Sequence, residues 1–181
     1  MARVKLVEKE QADPTIKEVF QILEDLRVPL SNIFKAVGNC PKIGRNFIEL
    51  GNSLLNPEFI DPKLRELVIL RVGNLLQSDY EFTHHARIGI KAGLTIEQVK
   101  DLAVWKSSDK FSEIERAVLQ YTDEVTLNVR VSNSTFADLR RFFDDPGIVK
   151  LTAIIGYYGM VCRILEALQI EMEPWVKPFT T

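Results

Sequence analysis

The chain has 181 residues, of which 46% are apolar and 27% are charged, and its formal net charge at pH 7 is −2. This length and composition fit one folded domain and exclude a disordered chain. Because there is no excess of basic residues to attract a phosphate backbone, we expect no nucleic-acid partner.

The cysteines and the apolar stretches indicate a cellular compartment. Cys40 and Cys162 lie far apart and form neither a C-x-x-C motif nor a zinc-ligand spacing, so a reduced, cytoplasmic setting is expected. The first eleven residues alternate charged and apolar side chains, which is not the pattern of a signal peptide. The longest apolar stretch, 148–165, is interrupted by Lys150 and Arg163, so we expect a buried helix there and no membrane partner.

Helical patterns follow one another from the N-terminus. Asp-Pro pairs at 13–14, 61–62 and 145–146 predict three helix starts, because Asp can accept from free N–H groups and Pro suits the first helical position. Thr95–Gln98 and Ser112–Glu115 are capping-box patterns, and Gly93 is expected to end the helix that begins at Ser78. Further starts are predicted at Ser31, at Pro41, and at Ser132 or Ser134.

No run of four or more residues alternates apolar and polar side chains between turn signals, so strands are not expected. The predicted fold class is all-α, with about eight helices in one domain over residues 1–181. The tail from Glu173 is too apolar for a free segment, and we expect it to pack on its own subunit or on a neighbour through Pro174, Trp175, Pro178 and Phe179.

The first candidate site residues are Glu81 and His85, which are four apart and therefore share one face of a helix. A carboxylate beside an imidazole is a minimal acid–base pair, since each group tunes the proton affinity of the other. Two structural interpretations stay open: Glu81 completes a capping box with Ser78, or His85 is a core residue. His84 points about 100° away around the helix, and H-E-x-x-H is absent, so no metal site is predicted.

A third candidate, Glu66, lies near the middle of an apolar helix with Arg65 and Arg71 as charged companions. It is either part of a solvated ion pair or a partly buried carboxylate whose pKa is raised toward that of a general base. Tyr158 is either a core aromatic or a pocket-wall phenol. We take Tyr80, Arg71 and Tyr158 as candidates for orienting a substrate carboxylate.

Three segments together resemble the carboxymuconolactone decarboxylase-like group, which shares the fold of alkylhydroperoxidase D. They are 65–72, then the run from Ser78 through Phe82 to His85, and then 92–95. The resemblance extends from about Leu30 to Ile170 and includes 142–145 and 156–158. It implies an alkylhydroperoxidase D-like helical bundle and a homo-oligomer, as a dimer, trimer or hexamer.

The resemblance also identifies a departure from the family pattern. Alkylhydroperoxidase D-like proteins carry Glu-x11-Cys-x-x-Cys-x-x-x-His, in which Glu66 and His85 match the proton relay. Ser78 and Glu81 stand at the two cysteine positions. Because thiol–disulfide chemistry needs two sulfurs, the chain resembles a branch without the redox pair.

These observations lead to three functional hypotheses. The first is a lyase that acts on a small carboxylated lactone or keto acid, in which His85 moves the proton and Glu81 or Glu66 fixes its charged form, without a cofactor. The second is an antioxidant activity of the alkylhydroperoxidase or peroxiredoxin type. The third is a non-catalytic oligomeric scaffold.

Overall fold

A computed structural model describes residues 1–177 and Phe179. Within these residues the secondary structure is helical, with nine α-helices and no β-strand, so the all-α prediction is confirmed. Short 3-10 turns occupy Lys9–Gln11 and Leu102–Val104. The helices are α1 (Pro14–Asp25), α2 (Asn32–Val37), α3 (Pro41–Leu55), α4 (Pro62–Leu75), α5 (Asp79–Lys91), α6 (Ile96–Asp101), α7 (Glu113–Asn128), α8 (Asn133–Arg140) and α9 (Asp145–Leu168).

The backbone forms two compact units. The first contains residues 1–54 and 164–177, and thus α1, α2, nearly all of α3 and the end of α9. The second contains residues 55–163 together with Phe179, and thus α4 to α8 and most of α9. Every candidate site residue predicted from the sequence lies in the second unit.

Local capping rules explain most helix starts. The side chains of Asp13 and Asp61 accept hydrogen bonds from the first turns of α1 and α4, and Thr95 and Ser112 complete capping boxes, as predicted. The third Asp-Pro pair behaves differently. Asp145 is the first residue of α9, and it is Asp144 that accepts the N–H of Gly147, at 3.0 Å.

The start of α5 departs from the prediction in a way that matters for the site. Ser78 precedes the helix but its side chain makes no capping hydrogen bond, so of the interpretations left open for Glu81 the capping box with Ser78 is wrong. Ser31, before α2, makes no side-chain cap either. The end of α5 is as predicted, because Gly93 has a φ of 108° and the N–H of Leu94 donates to the carbonyl of Gly89.

Helix α4 is the centre of the second unit. It packs against α5 and α7, and ten of its fourteen residues are buried. The buried set includes the charged residues Arg65, Glu66 and Arg71, which must find partners because an isolated buried charge is costly. The apolar cluster of this unit consists of Leu67, Leu70, Ala86, Leu94, Val99, Leu102, Trp105, Phe111 and Leu119.

Helix α9 is long and apolar enough to cross a membrane by length and composition alone, and 56% of its apolar window is buried within the protein. Core helices of soluble proteins pass the same test, so this is weak evidence for a membrane span. Tyr157 and Tyr158 lie on its buried side, whereas Val149 and Met160 are exposed. The homo-oligomer stays a prediction.

The C-terminal tail packs in part. The ring of Phe179 contacts that of Phe82 edge-on, with centroids 6.4 Å apart, and adds to the apolar cluster of the second unit. Trp175 is 57% exposed, so its side chain is not buried on its own subunit, and packing on a neighbouring subunit stays a prediction. Pro178 lies outside the described residues.

Candidate active site

The close approach of α4 and α5 positions the site. Glu66 lies on α4, while Glu81 and His85 lie on α5. One turn beyond His85, the residue facing α4 is Gly89, where an added Cβ would lie 3.4 Å from the Cβ of Glu66 and 3.3 Å from Cδ1 of Leu70. The small residue therefore permits the helix spacing at which Glu66 reaches His85.

Both nitrogens of the His85 ring contact carboxylates. Nδ1 lies 2.7 Å from Oε2 of Glu66, and Nε2 lies 3.0 Å from Oε1 of Glu81. The side-chain exposures are 12% for His85, 0% for Glu66 and 6% for Glu81. An imidazole that bonds a carboxylate at each nitrogen does so as the doubly protonated cation. The structure thus brings together the three residues that the sequence predicts as catalytic.

Arg65 extends this set on the far side of Glu66. Its Nε and Nη2 each lie 2.9 Å from Oε1 of Glu66, and Nη1 donates to the carbonyl of Leu55 at 2.6 Å. We call Arg65, Glu66, His85 and Glu81 the relay. Positive and negative charges alternate along it, which offsets the cost of burying four ionisable groups.

The surroundings set the protonation states within the relay. Burial by itself lowers the pKa of His85, but the charge of Glu81 and the hydrogen bonds to Glu66 and Glu81 outweigh it and raise this pKa to about 10. Burial favours a raised pKa for Glu66, yet the bonds from His85 and Arg65 lower it below its ordinary value. The expected upward shift at Glu66 is therefore wrong, and at neutral pH His85 is an imidazolium beside an ionised Glu66.

Only one carboxylate oxygen of the relay is unoccupied within the described residues. Both oxygens of Glu66 are bonded, one to Arg65 and one to His85. Oε1 of Glu81 faces His85, whereas its Oε2 makes no hydrogen bond or ion pair in the described part of the chain. Glu81 is consequently the end of the relay that has an oxygen open to a further partner.

Tyr158 from α9 lies against the relay. Its ring meets the His85 ring nearly at right angles, at 82°, with centroids 5.1 Å apart. Burial and the charge of Glu81 raise the pKa of Tyr158 well above its ordinary value, so the phenol stays protonated. No hydrogen bond of its hydroxyl is made within residues 1–177 or Phe179, which makes it an available donor.

The structure gives the other predicted substrate residues different surroundings. Arg71 forms a two-bond ion pair with Asp123 of α7, at 2.6 and 3.0 Å, and donates to the carbonyl of Leu102. These bonds hold α4 against α7 and do not support a role for Arg71 in orienting substrate. Tyr80 stacks on His84 with ring centroids 4.7 Å apart, and its substrate role stays a prediction.

Sequence reasoning missed Arg65 as a member of the relay. It named Arg65 only as a charged companion of Glu66, with a solvated ion pair as one of two alternatives, whereas the residue is 8% exposed and bonded to the main chain as well as to Glu66. The available signal was the apolar character of α4 on every side, which predicts burial for any charge within it. Among the described residues, no group of three or more His, Cys, Asp or Glu side chains is arranged to hold a metal ion.

Residues 41–124 match the Carboxymuconolactone decarboxylase family. The uncharacterized protein YdfG of Bacillus subtilis (strain 168) is 27% identical over 111 residues, which cover 60% of this chain and 76% of that protein.

Two solved structures share the fold. The alkylhydroperoxidase AhpD core structure of an uncharacterized peroxidase-related protein from Ralstonia eutropha JMP134 superposes with a TM-score of 0.83 at 19% identity, covering 96% of this chain and 93% of that one. A structure of the debrominase Bmp8 in complex with 2,3,4-tribromopyrrole has a TM-score of 0.77 at 20% identity, covering 96% and 95% of the two chains.

Proposed function

Because residues 41–124 match the Carboxymuconolactone decarboxylase family, we propose that the chain is a lyase that decarboxylates a small carboxylated lactone or keto acid. The observation that supports this most directly is the relay, which ends in a free oxygen of Glu81 next to a buried imidazolium. A buried acid–base chain with one open end is suited to moving a single proton to or from a substrate.

Decarboxylation needs such a proton. The bond between the substrate carbon and its carboxylate breaks, CO2 leaves, and the electron pair passes into the adjacent conjugated carbonyl system. The carbon then takes up one proton. In the proposed mechanism this proton passes from Nε2 of His85 through the carboxylate of Glu81 to the carbon, and solvent later recharges the imidazole.

Glu66 and Arg65 would act through His85. Glu66 fixes the orientation of the ring and stabilises the imidazolium, and Arg65 keeps Glu66 ionised and in place. Neither group needs to contact the substrate. General acid–base help of this kind typically contributes about 10²–10⁴-fold to the rate.

The direct test is CO2 release from carboxymuconolactone and a panel of carboxylated lactones and keto acids. We expect the parent protein to decarboxylate at least one of these compounds. In D2O, the product should carry one deuterium on a carbon of the conjugated system that lost the carboxylate. The variants Glu81→Gln and His85→Gln should lose at least a hundredfold in kcat, since each interrupts the relay.

The matched control is Asp79→Asn, which removes an exposed carboxylate from the first turn of the same helix. It should turn over like the parent. If Glu81→Gln and His85→Gln retain parental kcat, acid–base catalysis by the relay is refuted. If no compound in the panel reacts while both variants only change stability, the scaffold hypothesis is favoured.

The side chains disfavour the thiol-dependent alternative. Ser78 and Glu81 carry no sulfur, and Cys162 is buried within α9, whereas Cys40 is an exposed residue that precedes α3 in the first unit. A dithiol reaction needs two sulfurs that can reach bonding distance. Peroxide consumption by the parent that disappears in Cys40→Ser/Cys162→Ser would overturn this assessment.

A further inference from the structure

The side chain of Ser78 has a feature that capping does not explain. Ser78 is 1% exposed, and its hydroxyl has no hydrogen-bond partner among the described residues. The backbone around it is fully bonded, because its N–H donates to the carbonyl of Gly73 at 2.9 Å and its carbonyl accepts the N–H of Phe82 at 3.0 Å. The residue is thus held in place while its hydroxyl is left unpaired.

A buried hydroxyl without a partner lowers the stability of the folded protein. Native proteins satisfy nearly all such groups, and an exception is expected where a ligand supplies the missing partner. A hydroxyl can donate one hydrogen bond and accept two, so the natural partner of an unpaired Ser78 is an oxygen atom that carries negative charge.

The position of Ser78 relates it to the relay. Residues 78, 81 and 85 are spaced by three and four positions, so Ser78 stands at the N-terminal end of the α5 face that carries Glu81 and His85. The residue that carries the unpaired hydroxyl therefore lies three positions before Glu81, the end of the relay that the proposed function assigns to the substrate.

We propose that the hydroxyl of Ser78 donates a hydrogen bond to the lactone carbonyl oxygen of the substrate. During decarboxylation the electron pair from the broken carbon–carbon bond moves onto this oxygen before the carbon is protonated. A preplaced donor is worth most at an atom where charge develops, because it needs no reorganisation during the reaction. This inference rests on the proposed lyase function for its substrate, while the assignment of Ser78 as an oxyanion donor can be tested without turnover.

The binding test uses the tetronate anion, a planar lactone enolate that resembles the charge distribution after CO2 has left. We expect the parent to bind tetronate in isothermal titration, and Ser78→Ala to bind it about tenfold more weakly or worse. Ser78→Cys nearly preserves the side-chain volume but replaces a strong donor with a weak one. It should show the same loss, which separates the missing donor from a packing change.

The control is Thr126→Val. Thr126 carries the other buried hydroxyl without a partner in the described part of the chain, and it lies on α7. This variant should bind tetronate like the parent. Parental affinity in Ser78→Ala, parental affinity in Ser78→Cys alone, or no binding by the parent at millimolar tetronate would each overturn the inference.

Steady-state kinetics distinguish the proposed lyase function from the assignment of Ser78 as a hydrogen-bond donor. With a compound that the parent decarboxylates, Ser78→Ala should lower kcat by about 10²–10³-fold with little change in KM, the pattern of an interaction made in the transition state. If the parent binds tetronate through Ser78 but decarboxylates nothing, the lyase function fails and the donor assignment stands. If the parent decarboxylates and Ser78→Ala keeps parental kcat, only the donor assignment fails.

Discussion

At the scale of single residues, the charge of His85 decides how the site works. With a carboxylate at each ring nitrogen, the imidazole is held as a cation. In the proposed mechanism His85 stores the proton, and Glu81 is the residue that contacts the substrate and delivers that proton.

The protonation of His85 can be measured directly. We expect its ring signals in an NMR titration to report a pKa near 10 in the parent, and a lower pKa in Glu81→Gln and in Glu66→Gln, because each change removes a negative charge that stabilises the imidazolium. Asp79→Asn should leave the His85 pKa where it is. A parental value near 6.5 that is indifferent to Glu81→Gln would contradict the charge arrangement described for the relay.

The residues of the site were predictable to different degrees. The spacing of Glu81 and His85 on one helix follows from the sequence alone, because the helical repeat fixes it. The contact between Glu66 and His85 does not, since it depends on how two helices cross. For the same reason the ion pair of Arg71, one of three candidates for a substrate contact, could not be predicted, since its partner Asp123 is 52 positions away along the chain.

At the scale of helices, the approach of α5 to α4 is what assembles the relay. Gly89 sits where any side chain would intrude: an added Cβ would lie 2.8 Å from Cδ1 of Leu94 as well as 3.4 Å from the Cβ of Glu66. The relay thus depends on a residue that takes no part in its chemistry.

The substitution Gly89→Ala tests this dependence. We expect a loss of about 1–3 kcal/mol in unfolding free energy from overpacking, together with a lower His85 pKa as Glu66 moves away. Gly156→Ala in α9 is the matched control, because an added Cβ there meets nothing within 4 Å. It should be neutral or should stabilise by up to about 1 kcal/mol through helix propensity. Equal effects of the two substitutions on the His85 pKa would contradict the role given to Gly89.

Helix boundaries show where local rules suffice and where they fail. The capping boxes at Thr95 and Ser112 were predicted correctly, since their partners lie three residues away. At Ser78 the same local pattern is present, but the carboxylate of Glu81 is drawn to His85 instead of to the backbone. The failure of the rule therefore coincides with the candidate site.

At the scale of the whole molecule, the ionisation of His85 and Glu66 makes the unfolding free energy depend on pH, His85 at alkaline pH and Glu66 at acidic pH. The pKa of His85 is raised from 6.5, so its contribution to folding is complete below about pH 6.5 and is lost as the pH rises toward 10. The pKa of Glu66 is lowered from 4.5, so its contribution is complete above about pH 4.5 and is lost on acidification.

Urea denaturation across the pH range should reveal both limits. We expect the unfolding free energy to fall as the pH rises from 6.5 toward 10, and to fall again below pH 4.5. In Glu81→Gln the alkaline decline should begin at the same pH but should be smaller and end at a lower pH, because the His85 pKa is lower in that variant. A parental stability that stays constant between pH 6.5 and pH 10 would show that His85 is not held as a cation.

The overall fold class followed from the sequence because helical periodicity and capping signals recur along the chain without a competing strand pattern. The division of the backbone into two units did not follow, since the first unit joins residues 1–54 to residues 164–177. Such a grouping brings together segments far apart in sequence, and no local pattern encodes it.

The oxygen side chains of Ser78 and Glu81 have a consequence for how the protein would behave in a cell. A site that works with oxygen and nitrogen acids needs no reductant between turnovers, and Glu81, His85 and Ser78 lie outside the oxidation ladder of thiols. The rate of the reaction would therefore depend on the substrate concentration and on the pH, and would not depend on the redox state of the glutathione pool. Under the proposed function, the side chains at positions 78 and 81 would decide whether this fold exchanges protons or electrons.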